Sequence, residues 1–227
     1  GVPTKTMING VEPNLFAAKR FKKKDLQDTP LKIVFLGRIE ALKGADYFVD
    51  ALLNIPIPCR DYIEPLLIGD GLLLEQLRDK VRHANAHGWI KFTGAVPSSD
   101  IQEYLAKQDF YVSLNEQGHI SNSSLEAVAA GLGVIIKKIN NKNSTLGGAE
   151  ILGFDKQVVI EPTIKTADFA LLLVELSKNK QKRTRLRRAT YCVANELLEP
   201  WSARIGSELH LLKRIANAGN ANSNNLL

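Results

Sequence analysis

Two cations stand just beyond a glycine that ends an apolar run. Leu31-Lys32-Ile33-Val34-Phe35-Leu36-Gly37 is followed at once by Arg38, and Lys43 comes five residues later, ahead of Gly44. Arginine offers a planar fork of donors and lysine a compact charge, so the pair suits a diphosphate if both point into one crevice. Taken alone, they are two ordinary exposed cations. Further along, Asn115-Glu116-Gln117-Gly118-His119-Ile120-Ser121 runs into Asn122-Ser123-Ser124-Leu125-Glu126. A small, polar loop entering a helix leaves the backbone N–H groups of Asn122, Ser123, Ser124 and Leu125 able to hold an anion without side-chain charge. Glu126, one turn in, can accept hydrogen bonds from sugar or ribose hydroxyls; its other reading is a carboxylate that complements the helix dipole. Thr93-Gly94-Ala95-Val96-Pro97 could line a base pocket near Val96, or be only a turn.

These segments can act together only if the chain delivers them to one edge, and the surrounding pattern does so. Apolar runs over 31–37, 64–69, 89–93, 109–114, 133–137 and 157–160 read as strands. Helical spacing fills 45–53, 72–87, 98–107 and 123–130, with Ser98 or Ser99 expected to cap the third of these. Two or three helices follow over 166–216, and the low-complexity stretch 217–227 reads as a disordered tail. Alternating strands and helices imply an α/β fold: a Rossmann-like, doubly wound parallel sheet of about six strands, helices on both faces, and C-terminal helices. The organisation is one domain over residues 1–216. In such sheets ligands bind beyond the carboxyl ends of the strands, where the segments singled out above lie.

Bulk properties narrow the partners. Apolar residues make up 44% of the 227, enough for a core, and the net charge of +6 favours anions. One basic cluster runs from Lys19 to Lys24 and another from Lys178 to Arg188; the second falls on a helical pattern and reads as a solvated face, with membrane-surface docking as its alternative. Aromatics are 7% and do not interleave with the basic runs, which argues against nucleic acid. Gly1-Val2-Pro3-Thr4-Lys5 has neither an initiator Met nor the apolar block of a signal peptide, as expected of a domain from a longer protein. Cys59 and Cys192 match no metal-binding spacing, and a cytoplasmic setting follows. His83 and His87 are four apart on a helix without a third ligand, so a solvated face is the reading preferred over zinc. No Gly-x-Gly-x-x-Gly joins the first strand to its helix, and no serine or cysteine sits in a nucleophile elbow.

Read in order, Asn9-Gly10-Val11-Glu12, Gly37-Arg38 with Lys43-Gly44, Leu67-Ile68-Gly69-Asp70-Gly71, Phe92-Thr93-Gly94, Asp109-Phe110-Tyr111-Val112 and Leu125-Glu126-Ala127-Val128-Ala129-Ala130-Gly131 resemble the C-terminal, donor-binding domain of glycosyltransferase family 4 (group 1), which has the GT-B fold. The likeness extends from Ile8 to about Val134, and Trp201 fits the family's closing helix. It implies a retaining transferase that moves a sugar from a nucleotide-diphosphate sugar to a glycan or lipid-linked acceptor, as in polysaccharide biosynthesis. By the resemblance Gly37, Arg38 and Lys43 hold the donor diphosphate, amides near Ser123 to Leu125 meet phosphate oxygens, Glu126 binds the ribose and the Val96 region faces the base. The family's first glutamate, seven residues before the second, contacts the donor sugar. Gly118 occupies that position here, so Glu116, two residues earlier, is the candidate substitute, with His119 the other polar group nearby. No metal and no cofactor are expected: the chain has no Asp-x-Asp pair, so cationic side chains must compensate the diphosphate. The resemblance also places the acceptor mainly on an N-terminal half outside this chain, so the chain alone is expected to be inactive, and it allows peripheral contact with the inner face of a membrane. A non-catalytic nucleotide-sugar-binding module and a sugar-nucleotide epimerase on the same fold remain the alternatives.

Overall fold

The computed structural model describes residues 9–11, 29–115, 120–138, 151–153 and 156–223. Six strands form one sheet: β1 (Leu31–Leu36), β2 (Ile63–Ile68), β3 (Lys91–Phe92), β4 (Phe110–Ser113), β5 (Gly133–Lys137) and β6 (Val158–Ile160). They lie in the order β3-β2-β1-β4-β5-β6, and every pairing is parallel. Between them run α1 (Ala45–Leu53), α2 (Leu74–His83), α3 (Ser98–Leu105) and α4 (Asn122–Ala129), followed by α5 (Thr166–Lys178), α6 (Lys180–Leu197) and α7 (Trp201–Ser223).

The central strands are mostly apolar because helices cover the sheet on both sides, with exposed charges confined to strand ends such as Glu64 and to the edge strand's Lys91. Side chains alternate between two cores. Leu31, Ile33 and Phe35 of β1 face α1, α2 and α5, whereas Val34 and Leu36 face α3 and α4. Phe48 of α1 is the hub of the first core, with ring centroids 6.3 Å from Phe35 and 6.5 Å from Phe169. The chain winds outward from β1 to β3, returns to lay β4 beside β1, then winds outward the other way. That reversal leaves a crevice between the carboxyl ends of β1 and β4.

The opposite, amino-terminal end of the sheet is closed by charge. Asp109, just before β4, accepts from the Lys32 amide at 3.0 Å and from Arg187 at 2.9 Å. Arg183, one turn earlier on α6, donates to the Thr29 carbonyl at 3.4 Å. Burial raises the pKa of the Asp109 carboxyl, and the Lys32 amide and Arg187 guanidinium oppose that rise. The Lys178–Arg188 cluster is therefore not a uniformly solvated face. Arg183 and Arg187 turn inward at i,i+4 spacing while Arg185 and Arg188 stay exposed.

Three further expectations shift. Pro97, not a serine, precedes α3, and Ser99 donates to Asp100 at 2.7 Å instead of capping. The third strand shrinks from five residues to Lys91–Phe92, since an edge strand has a single neighbour to pair with. Stretch 217–227 is not a disordered tail throughout, because α7 extends to Ser223; a helix already nucleated adds residues at little cost. Along α7, Trp201, Ile205, Leu209, Leu212 and Ile215 form a stripe at helical spacing, and all five are exposed. No described helix is long and apolar enough to cross a membrane.

Candidate functional site

Arg38 and Lys43 are placed by the backbone that surrounds them. The Gly37 amide donates to Ile68 O at 3.0 Å and the Ile39 amide to Asp70 O at 2.9 Å, so the exit of β1 stays tied to that of β2. Arg38 projects between those two bonds. Its side chain is 71% exposed and donates to Glu40 Oε1 at 3.2 Å. Lys43 ends a single 3₁₀ turn, Ala41–Lys43, and Gly44 follows in the left-handed region at φ 74°. A side chain on Gly44 would place its Cβ 2.5 Å from that of Leu114. Glycine is what lets this turn press against the end of β4, and that contact carries Lys43 across to the neighbouring strand.

The other wall comes from β4 and α4. Tyr111 and Ser113 are two apart on β4 and share the face toward α4. Ser121 is the N-cap of α4: its Oγ accepts from the Ser124 amide at 3.1 Å, and its carbonyl accepts from the Leu125 amide at 3.1 Å. Of the four amides expected to meet an anion, two are thus taken by the cap. Those of Asn122 and Ser123 remain directed beyond the first turn. Beneath them lies a hydroxyl cluster. Ser121 Oγ is 2.9 Å from Ser124 Oγ, which is 3.4 Å from Ser113 Oγ, and the Tyr111 hydroxyl lies close enough to these hydroxyls to be influenced by them. Burial raises the Tyr111 pKa, although the serine hydroxyls oppose the rise. The phenol therefore stays protonated near neutrality and holds β4 against the helix end.

These walls enclose a cleft of about 240 Å³ at the crevice between β1 and β4. Gly37, Arg38, Lys43, Ser113, Asn115, Ser121 and Ser123 line its polar parts, over a floor that includes Phe35, Tyr111 and Val112. Two cations, a helix N-terminus and small hydroxyl side chains are groups suited to an anion that also carries hydroxyls. A larger hollow, about 530 Å³, lies at the open β3 edge. Its arginines 78 and 82 are already paired with Glu75 and Asp79; Phe92 and Thr93 at the end of β3 line it, but Arg38, Lys43 and the start of α4 do not.

Gly37, Arg38, Lys43 and Ser123 therefore share one cleft, as their sequence positions imply. Asn122 sits exposed at its rim, where its Oδ1 accepts from Asn9. Ser124 and Leu125 are buried below the helix end, and Val96 packs against the core shared by Leu36 and Ile68. Glu126 is half-buried, and desolvation raises its pKa. Glu116, Gly118 and His119 lie outside the described residues, as does the Lys19–Lys24 cluster. Tyr111, Ser113, Asn115 and Ser121 belong to the site but were not singled out from the sequence. Hydroxyl side chains two apart in an otherwise apolar strand were the available signal. Among the described residues no three His, Cys, Asp or Glu side chains come together as a metal site.

Comparison with known proteins agrees with this architecture. Residues 17–192 match the family described as glycosyl transferases group 1. The chain is similar to the amylovoran biosynthesis glycosyltransferase AmsK of Erwinia amylovora, at 28% identity over 134 residues, covering 56% of this chain and 31% of AmsK. Among solved structures, Anabaena HepE in complex with UDP superposes with a TM-score of 0.70 at 18% identity, over 92% of this chain and 57% of that one. The C-terminal domain of LpcC, a glycosyl transferase group 1 protein of Francisella tularensis, superposes with a TM-score of 0.64 at 21% identity, over 82% of this chain and 97% of that one. At these identities the structures establish the shared fold. The chain spans under a third of the length of the curated relatives it matches.

Proposed function

The chain belongs to the glycosyl transferases group 1 family, and from that premise we propose that it is the donor-binding part of a retaining, metal-independent family 4 enzyme. The enzyme transfers a sugar from a nucleotide-diphosphate sugar to a glycan or lipid-linked acceptor. The observation that carries this reading is the convergence of Arg38, Lys43 and the α4 N-terminus on one cleft at the crevice between β1 and β4. Breaking the bond between sugar and diphosphate leaves added negative charge on the phosphate oxygens. Cations and amides placed there beforehand stabilise that charge most in the transition state. Arg38 and Lys43 bind the diphosphate, with the Asn122 and Ser123 amides completing its shell, and this compensation makes a metal ion unnecessary. Glu126 accepts from the ribose hydroxyls, and the turn at Val96 borders the base. Glu116 is assigned to the donor sugar from its place in the sequence alone. UDP in the Anabaena neighbour supports a nucleoside diphosphate as the ligand class.

The acceptor is held mainly by protein outside this chain, and the whole works at the cytoplasmic face of a membrane. Thermal melting with UDP, GDP and ADP tests the donor half of the reading. A ligand at about ten times its Kd adds about 1.4 kcal/mol, a shift of a few degrees. One nucleotide should raise the melting temperature and the other two should not. No shift with any of them at millimolar concentration, and no heat on titration, would overturn the reading.

A further inference from the structure

We infer that Asn9 is a positioning residue for the diphosphate end of the cleft, acting through Asn122 on the first turn of α4. The inference rests on the donor-binding reading above. Asn9 Nδ2 donates to Asn122 Oδ1 at 2.8 Å, a link between residues 113 apart in sequence. Asn122 is the first residue of α4, and Ser123 beside it lines the cleft. One end of this link is firmly anchored. Gly10 is buried, and a Cβ there would come within 2.6 Å of Trp201 Cα, so only a glycine lets the segment lie so near the start of α7. Val11, 2% exposed, donates its amide to Glu199 O at 3.0 Å and pairs with Pro200 as an isolated parallel bridge. Two successive residues, Gly10 and Val11, are thus fixed at the start of α7, and Asn9 just before them reaches across to α4.

The consequence concerns placement. Ser121 engages the Ser124 and Leu125 amides, and no bond among the described residues takes up those of Asn122 and Ser123. Two N–H groups converge on one phosphate only if the turn that carries them holds its position, because hydrogen bonds weaken steeply with misalignment. Asn9 braces that turn from outside the cleft. By occupying Oδ1 it also fixes which end of the Asn122 amide is spent, leaving its N–H₂ as donor.

The test compares Asn9→Ala, Asn122→Ala and the double variant in the intact chain. Calorimetric titration with UDP should show Asn9→Ala about three- to fivefold weaker, as befits one exposed neutral hydrogen bond. The double variant should be no weaker than Asn122→Ala, because both remove the same link. Without nucleotide, hydrogen exchange in Asn9→Ala should quicken at the amides of 122–124 and leave the strands unchanged. A UDP affinity within twofold of the parent, losses that add in the double variant, or unaltered exchange at 122–124 each overturn the inference. Failure of the parent chain to bind UDP, GDP or ADP counts against the donor-binding reading alone, and the exchange experiment still decides for or against the brace.

Discussion

At the amino end of the sheet, Asp109 and Arg187 are almost wholly withdrawn from water and spend their hydrogen bonds on each other and on the Lys32 backbone. At the carboxyl end, Arg38 and Lys43 stand at the mouth of a cleft, and the exposed Arg38 pairs, among the described residues, with the half-buried Glu40 alone. The first set is turned inward and its two charges are paired with each other, so its chemistry goes into holding α6 to the sheet. The second keeps donors aimed outward. The density of charge in the sequence points the wrong way. The conspicuous Lys178–Arg188 run supplies the structural pair, whereas two isolated cations after a glycine reach the crevice. What separates a strut from a binding group is whether its donors have partners within the chain.

That contrast predicts different losses at the two ends. The largest is Arg187→Ala, which strands a buried carboxylate and should cost about 3–5 kcal/mol in chemical denaturation. Nucleotide affinity of the folded fraction should stay within twofold. Affinity falling in step with stability would dissolve the distinction. Arg38→Ala should do the reverse: about 10² to 10³ lost in transfer rate by the full-length enzyme, with the melting temperature of this chain unchanged. A large drop in melting temperature would reassign Arg38 as a strut.

The smallest effect has the opposite sign. Desolvation raises the Glu126 pKa above its ordinary 4.5, so the folded chain holds that proton more tightly than the unfolded one does. The ionised carboxylate therefore weakens the fold. That cost is absent below the unfolded pKa and grows as pH rises through the folded one. Glu126→Gln should match the parent near pH 4 and gain about 0.5 kcal/mol or less at pH 7. The stabilisation conferred by a bound nucleotide should fall. A loss of unliganded stability at pH 7 would show the carboxylate to be structural.

Much of the fold was legible because its central strands are largely buried on both faces, so β1, β2 and β5 stand out as apolar runs, broken only near an end by Lys32, Glu64 and Lys137 and bounded by turn residues. The cations of the cleft were legible for a related reason. Residues just past such a run must lie at the carboxyl edge of a parallel sheet. The hydroxyl cluster was not, because Tyr111 and Ser113 read as strand interior until the face they share is known. Nor was the Asp109–Arg187 pair, whose members are 78 residues apart with no local pattern linking them. The Asn9 contact likewise depends on the chain end returning beside α4, which no periodicity encodes.

The ribbon of Trp201, Ile205, Leu209, Leu212 and Ile215 has a practical outcome for anyone handling the polypeptide by itself. A 23-residue rod is about 34 Å long, and one flank of it carries bulky greasy groups into water. Such a flank sets colloidal behaviour: elution on a sizing column should drift toward larger species as the sample is concentrated, and a mild detergent should reverse the drift.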